Sequence, residues 1–170
     1  MTTTHTTDVR CEETVLSYLR TVAQLHDRGN YATQTWNFSS AYHLLLRHGR
    51  RFSPAAAPAD LAPMDPRQCF SNAARYAARH PGLVYAEGYA LPHEVDAPLA
   101  HAWCTRPDGT VLDPTWSDAP GRAYIGLAFG DPQLWPYDGG GILNDPDRSH
   151  PLLQNGLPDG TLLDDVGRTL

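Results

Sequence analysis

The apolar residues of this chain change period part-way along it, and that change constrains the fold more than any other feature. Val15, Leu16, Leu19, Val22 and Leu25 recur at helical spacing, behind the acids Glu12 and Glu13 and ahead of Gly29 as a stop. A second helix is expected from Ser39 or Ser40 as cap through Ala41, Leu44, Leu45 and Leu46 to Gly49. Arg50 and Arg51 follow it, as a solvated charged end beyond the negative pole of its dipole. Residues 53–63 are almost wholly Ala and Pro and read as an extended connector. Asp65-Pro66 then offers a cap and a first-turn proline for a third, alanine-rich helix through Cys69, Phe70, Ala73, Ala74, Ala77 and Ala78, closed by Pro81-Gly82.

From Leu83 the period is two. Leu83, Tyr85, Glu87, Tyr89 and Leu91 alternate with smaller residues, which predicts a strand. A second strand is expected over Leu99–Thr105, a turn at Arg106-Pro107-Asp108-Gly109, a return over Thr110–Asp113, and a further strand over Arg122–Phe129. Helices first and an antiparallel meander afterwards predict an α+β fold, N-terminal helices packed on an antiparallel sheet. At 170 residues and 41% apolar content the chain suits one domain spanning 1–170. Residues 1–9 are expected to be flexible. Residues 131–170, rich in Pro, Gly and Asp, are expected to form an irregular segment in which Leu152, Leu153, Leu157, Leu162 and Leu163 dock parts on the body.

A net charge of −6 argues against partners that are polyanions: nucleic acid needs clustered cations, and an acidic membrane surface attracts them. The threonine-rich start lacks the pattern of a secretory signal, and no stretch approaches the roughly 20 apolar residues of a membrane span. A soluble, cytoplasmic protein is the expectation. Cys11, Cys69 and Cys104 are an odd set without CxxC pairing, so neither a disulfide framework nor a structural zinc site is expected. A zinc reading through Cys69, Cys104, His93 and His101 fails on strand parity, and no metal or cofactor is expected.

Cys69 falls in the first turn of the third helix, where backbone N–H groups stabilise a thiolate and donate toward an oxyanion. A thiol nucleophile also needs a base, and the base a group to orient it. The hairpin supplies both. With Gly109 left-handed in a three-residue loop, Arg106 faces Thr110 and Trp103 lies opposite Asp113. His101, Trp103 and Asp113 then project from one side of the sheet, with His101 and Asp113 diagonal neighbours about 7–8 Å apart between backbones. Cys104, of opposite parity, is read as core packing, and Cys11 as inert.

These residues resemble a known family. Gln68-Cys69-Phe70 is similar to the Gln-Cys-aromatic start of the transglutaminase catalytic helix, and Glu87-Gly88-Tyr89 resembles the Gly-Tyr strand that follows it. His101-Ala102-Trp103 and Asp113-Pro114-Thr115 are similar to the strand with His-Ala-Trp and the segment with Asp-Pro-Thr. The resemblance covers about residues 67–116. It implies a transglutaminase-like, papain-related core in which Cys69 is acylated, His101 is general base and acid, and Asp113 orients His101. It also implies that Gln68 or the backbone N–H of Cys69 helps to bind an oxyanion. Asn72 is a further candidate near the site, its alternative a helix-surface amide. Trp103 and Trp116 are candidate substrate walls, with core filling as the alternative.

The residues show no convincing calcium loop of the kind in the large animal transglutaminases, so calcium dependence is not implied. The expected activity is cleavage of a peptide or side-chain amide through a Cys69 thioester. The expected partner is a peptide, protein or small amide or thioester substrate. Transfer of the acyl group to an amine, and a catalytically silent binding or immunity module on the same fold, are the alternatives. Oligomeric state is not legible in the sequence.

Overall fold

A computed structural model of the chain describes residues 8–29 and 31–170. The flexibility expected of residues 1–9, and the threonine-rich start, thus fall mostly outside the described residues. Within them, α1 spans Val9–Gly29, α2 Ala41–His48, β1 Arg50–Phe52, α3 Cys69–Arg79, β2 Val84–Leu91, β3 Leu99–Thr105, β4 Val111–Leu112, β5 Ala123–Ala128, α4 Pro146–Asn155 and β6 Arg168–Thr169. The strands form one antiparallel sheet in the order β4-β3-β2-β5-β1-β6. The fold is α+β. Among the described residues, no helix is long and apolar enough to cross a membrane.

Side-chain alternation gives the sheet two separate cores. Tyr85, Tyr89, Ala102, Cys104, Ile125 and Leu127 face the helices, where they meet Val15, Leu16 and Leu19 of α1, Leu44 and Leu45 of α2, and the alanines of α3. Small side chains at Ala73, Ala74 and Ala77 let α3 lie close enough for the Cys104 thiol to reach the Ala73 carbonyl at 3.3 Å. The opposite face packs Phe52, Ala86, Trp103, Val111, Tyr124 and Ala128 against one another. That face is concave, because the sheet curls until the end of β1 meets the β3–β4 hairpin. Ser53 donates its N–H to the Gly109 carbonyl and accepts from Val111 N–H, both at 2.9 Å. Gly109, at φ +80°, also sits where a Cβ would lie 2.6 Å from the Gly167 backbone.

The hairpin has the register that its turn chemistry predicts. Arg106 N–H donates to Thr110 O, Gly109 N–H to Arg106 O, and Thr105 and Cys104 face Val111 and Leu112. One step further along each strand, Trp103 faces Asp113, and His101 and Asp113 emerge on the concave side.

Three segments differ from the sequence expectation. Arg50 and Arg51 are not a solvated helix end but strand β1, inserted between β5 and β6. Arg51 pairs with Glu13 at 3.2 Å and with the buried Glu12 at 3.3 Å, and Arg168 also bonds Glu12. Asp65-Pro66 makes a turn instead of a cap: Asp65 accepts from the N–H groups of Arg67 and Gln68, and the helix begins only at Cys69. The 131–170 segment contains α4, capped by Asp145, whose carboxylate accepts from Asp147 N–H at 3.0 Å, with Pro146 in the first turn. Leu152 and Leu153 of α4 dock in the core as expected.

Close packing around Trp103 depends on a residue without a side chain. A Cβ on Gly126 would lie 2.6 Å from the Trp103 ring and 2.5 Å from the Glu87 carbonyl. Trp103 is wholly enclosed and cannot retreat. Gly126→Ala is therefore expected to destabilise the fold by about 1–3 kcal/mol, read as a lower midpoint in urea unfolding.

Candidate active site

Asp113 is the centre of the site. It follows β4 directly and is 1% exposed, and both of its oxygens are saturated with donors. Oδ1 accepts from the N–H groups of Thr115 and Trp116, each at 2.9 Å. Oδ2 accepts from Tyr124 OH and from His101 Nε2, each at 2.8 Å. Burial works against the carboxylate, but the imidazolium of His101 and these hydrogen bonds outweigh it and hold Asp113 below its ordinary range. It stays an ionised acceptor.

His101 comes from β3 and is 2% exposed. The indole of Trp116 stacks on its ring at 3.8 Å between centroids, 12° from parallel. With Nε2 bound to Asp113, Nδ1 is the nitrogen left for the thiol. Burial is the largest influence on this imidazole and opposes its charge. The attraction and hydrogen bond of Asp113, with the Cys69 thiol adjoining the ring, reverse that and push it up to about 9.

Cys69 is the first residue of α3 and is partly exposed, whereas Cys11 and Cys104 are buried. Ser40 and Asp145 cap α2 and α4 with their side chains, but Gln68, the cap residue of α3, makes no such bond. The first N–H groups of α3 are therefore not taken up by a cap, at the residue that carries the sulfur. Burial pushes the thiols of Cys11 and Cys104 up, the latter well above its ordinary value.

The other residues singled out by sequence take different places. Asn72 is buried and donates to Asp65 O at 2.8 Å and Thr115 Oγ1 at 3.1 Å, so it ties α3 to the loop that follows Asp113. Gln68 is exposed, and its side-chain oxygen accepts from Ser71 Oγ at 3.2 Å. Trp116 is half-buried and roofs His101. Trp103 is fully buried between Phe52 and Tyr124, where core filling describes it and contact with a substrate is not open to it. His93 is exposed, and Cys104 points to α3, so Cys69, Cys104, His93 and His101 do not converge.

Two further residues shape the site. Tyr124 holds Asp113 and accepts from Gly121 N–H at 2.6 Å. Glu87, 1% exposed, accepts from Tyr85 OH at 2.6 Å and from the N–H groups of Ile142 and Leu143 at 2.6 and 2.8 Å. It thereby fastens the Gly139-Gly140-Gly141 loop against the start of α3. A Cβ on Gly141 would strike Glu87 Oε1 at 2.3 Å and the Phe70 ring at 2.9 Å. Burial raises the Glu87 carboxyl, against the three hydrogen bonds and Arg148, which lower it. The signal in the sequence was a charged residue on an otherwise apolar strand face.

Comparison with protein-family models, with curated proteins and with solved structures finds no match to this chain.

Two measurements test that geometry. The folded-state pKa of His101 lies above its unfolded value of 6.5, so its contribution is fully present below pH 6.5 and is lost as pH rises through about 9. Relative to His101→Ala, the native chain should lose on the order of 3 kcal/mol across that window in urea unfolding; equal pH profiles would refute the buried ion pair. Glu87→Gln places an amide N–H₂ where one of two backbone donors now bonds an oxygen. It should cost about 1–3 kcal/mol. Hydrogen exchange should then speed up at Ile142 and Leu143 before it does in β2.

Proposed function

We propose that this chain is a cysteine-dependent acyl-transfer enzyme with a transglutaminase-like, papain-related core, and that it cleaves an amide bond through a thioester on Cys69. The observation that carries the reading is the gathering of a helix-terminal, partly exposed thiol with a buried imidazole that bonds a four-fold hydrogen-bonded carboxylate. Each group has the environment that its role requires. The motifs around Gln68-Cys69, His101-Ala102-Trp103 and Asp113-Pro114-Thr115 support the family resemblance in the same order along the chain.

In the proposed reaction His101 holds a proton on Nδ1 beside the Cys69 thiolate, and the thiolate attacks the substrate carbonyl carbon. The negative charge that develops on the carbonyl oxygen is stabilised by the uncapped N–H groups of α3, the Cys69 N–H first among them. The tetrahedral intermediate collapses as His101 gives its proton to the departing amine, leaving an acyl thioester on Cys69. Water, losing a proton to His101, attacks the thioester; the acid is released and the thiol restored. Asp113 keeps Nε2–H donated to itself throughout, so that Nδ1 always faces the sulfur. Hydrolysis is favoured over transfer because water needs no second binding site.

Iodoacetamide near neutral pH should alkylate Cys69 at least about tenfold faster than Cys11 or Cys104, and His101→Ala should slow the reaction of Cys69 itself by about tenfold. Equal rates at Cys69 and Cys11, read by mass spectrometry of the peptides, would sink the activated-thiol reading. After incubation with peptide and small-amide libraries, the native chain and not Cys69→Ala should carry an acyl adduct. Release of free acid then distinguishes hydrolysis from amide formation with an added amine.

A further inference from the structure

The seam between the end of α1 and the start of α2 gathers three side chains with metal-binding atoms. His26 and Asp27 lie in the last turn of α1 and His43 in the first turn of α2. One ligand atom from each stands within 4.8 Å of the others, a grouping found nowhere else among the described residues. Asp27 Oδ2 is 3.1 Å from His43 Nε2. His26 Nδ1 is buried and has no hydrogen-bond partner among the described residues. The two imidazole rings meet edge to face, 6.3 Å between centroids. None of these residues takes part in the proposed acyl transfer.

The chemistry of the cluster is specific. Two imidazoles and one carboxylate are the donor set of Zn²⁺ and its neighbours in the first transition row, whereas Ca²⁺ and Mg²⁺ take oxygen ligands. His43 Nδ1 lies 2.7 Å from Ser40 Oγ and 2.9 Å from Ser39 Oγ. A proton on Nδ1 donated to these hydroxyls leaves the Nε2 lone pair directed at Asp27, the arrangement in which an outer hydrogen bond orients a ligating histidine. Facing a carboxylate, that lone pair is repelled unless a proton or a cation stands between them. The carboxyl end of α1 adds negative potential at the same place.

We propose that His26, Asp27 and His43 form a three-ligand site for a divalent transition-metal ion of the Zn²⁺ class, which fastens the end of α1 to the start of α2. Tetrahedral ligands at zinc distances stand about 3.3–3.4 Å apart. The cluster therefore contracts modestly on binding, through the side chains of Asp27 and His43, which are 51% and 29% exposed. The fourth position is left for water or a donor atom of a ligand. His43 also lines a cleft of about 450 Å³, together with Trp36, Asn37, Phe38 and Ser39.

The test uses the untagged full chain carrying Cys69→Ala, which removes the one partly exposed thiol as a competing ligand. Titration with Zn²⁺ and Co²⁺ should give one ion per chain. The Co²⁺ spectrum should show the visible bands of a nitrogen and oxygen site without thiolate charge transfer, and Zn²⁺ should raise Tm by linkage. Adding His26→Ala, His43→Ala or Asp27→Asn should weaken binding by more than about tenfold and remove the Tm rise. The proposal is overturned if no metal binds at micromolar concentration, or if the variants bind as tightly as their parent. Asp27 is exposed and is not part of the core, so Asp27→Asn keeps the test decisive should either histidine variant fail to fold.

Discussion

The carboxylate of Asp113 is the interaction on which the rest depends. An ionised carboxylate with almost no exposure survives only if each of its oxygens is satisfied, and here four donors from three parts of the chain do so. Two are the N–H groups of its own loop; one arrives on β3 and one on β5. Because β2 lies between β3 and β5, Tyr124 reaches Asp113 only across the concave face of the curled sheet. The curl, the hairpin register and the charge are thus mutually dependent. A slip of one residue in the hairpin would turn Asp113 to the wrong face and leave His101 and Tyr124 without their acceptor.

This dependence means that folding alone assembles the candidate site. Holding an imidazole upright for thiol chemistry needs a fixed tautomer and a fixed ring plane. Asp113 sets the first through Nε2, and the stacked indole of Trp116 sets the second. The free energy of ordering these groups is met by folding. Asn72 completes the frame. By bonding both Asp65 O and Thr115 Oγ1 it locks the start of α3 to the loop that carries Trp116, so the sulfur and the imidazole are set by one connected body.

What was legible in the sequence is what is encoded locally. The period change, the Ser40 cap, the Gly109 turn and the parity that separates His101 from Cys104 all depend on residues a few positions apart. What was not legible depends on distant partners. β1 is three residues long with two arginines and shows no alternation; its pairing with β5 and β6, and Glu12 on α1 as counter-charge, make Arg50–Phe52 a strand. The same dipeptide carries different structure at two positions. Asp145-Pro146 caps α4, whereas Asp65-Pro66 is drawn into a turn by Asn72 and the N–H of Gln68. The sequence pattern of α4 is masked by Pro151 within it, and Tyr124 resembles an ordinary strand residue until its partner Asp113 is known.

Glu87 shows why the irregular C-terminal segment belongs to the site. A carboxylate on the helix-facing side of β2 is costly there, and the segment around Ile142 supplies two of its three donors from 55 and 56 residues away. The contact works in both directions: the segment offsets part of the desolvation cost of Glu87, and Glu87 fixes the segment beside Phe70, one residue from the sulfur. Glycine at 141 is the steric condition for this approach, since a single added carbon would overlap both the carboxylate and the ring. Arg148 on α4 grips the same loop through the Gly139 carbonyl at 2.8 Å and Asp138 at 2.6 Å. The wall next to the thiol is therefore made by a segment with little regular structure, whose position is fixed by one buried carboxylate at its centre and one arginine at its edge.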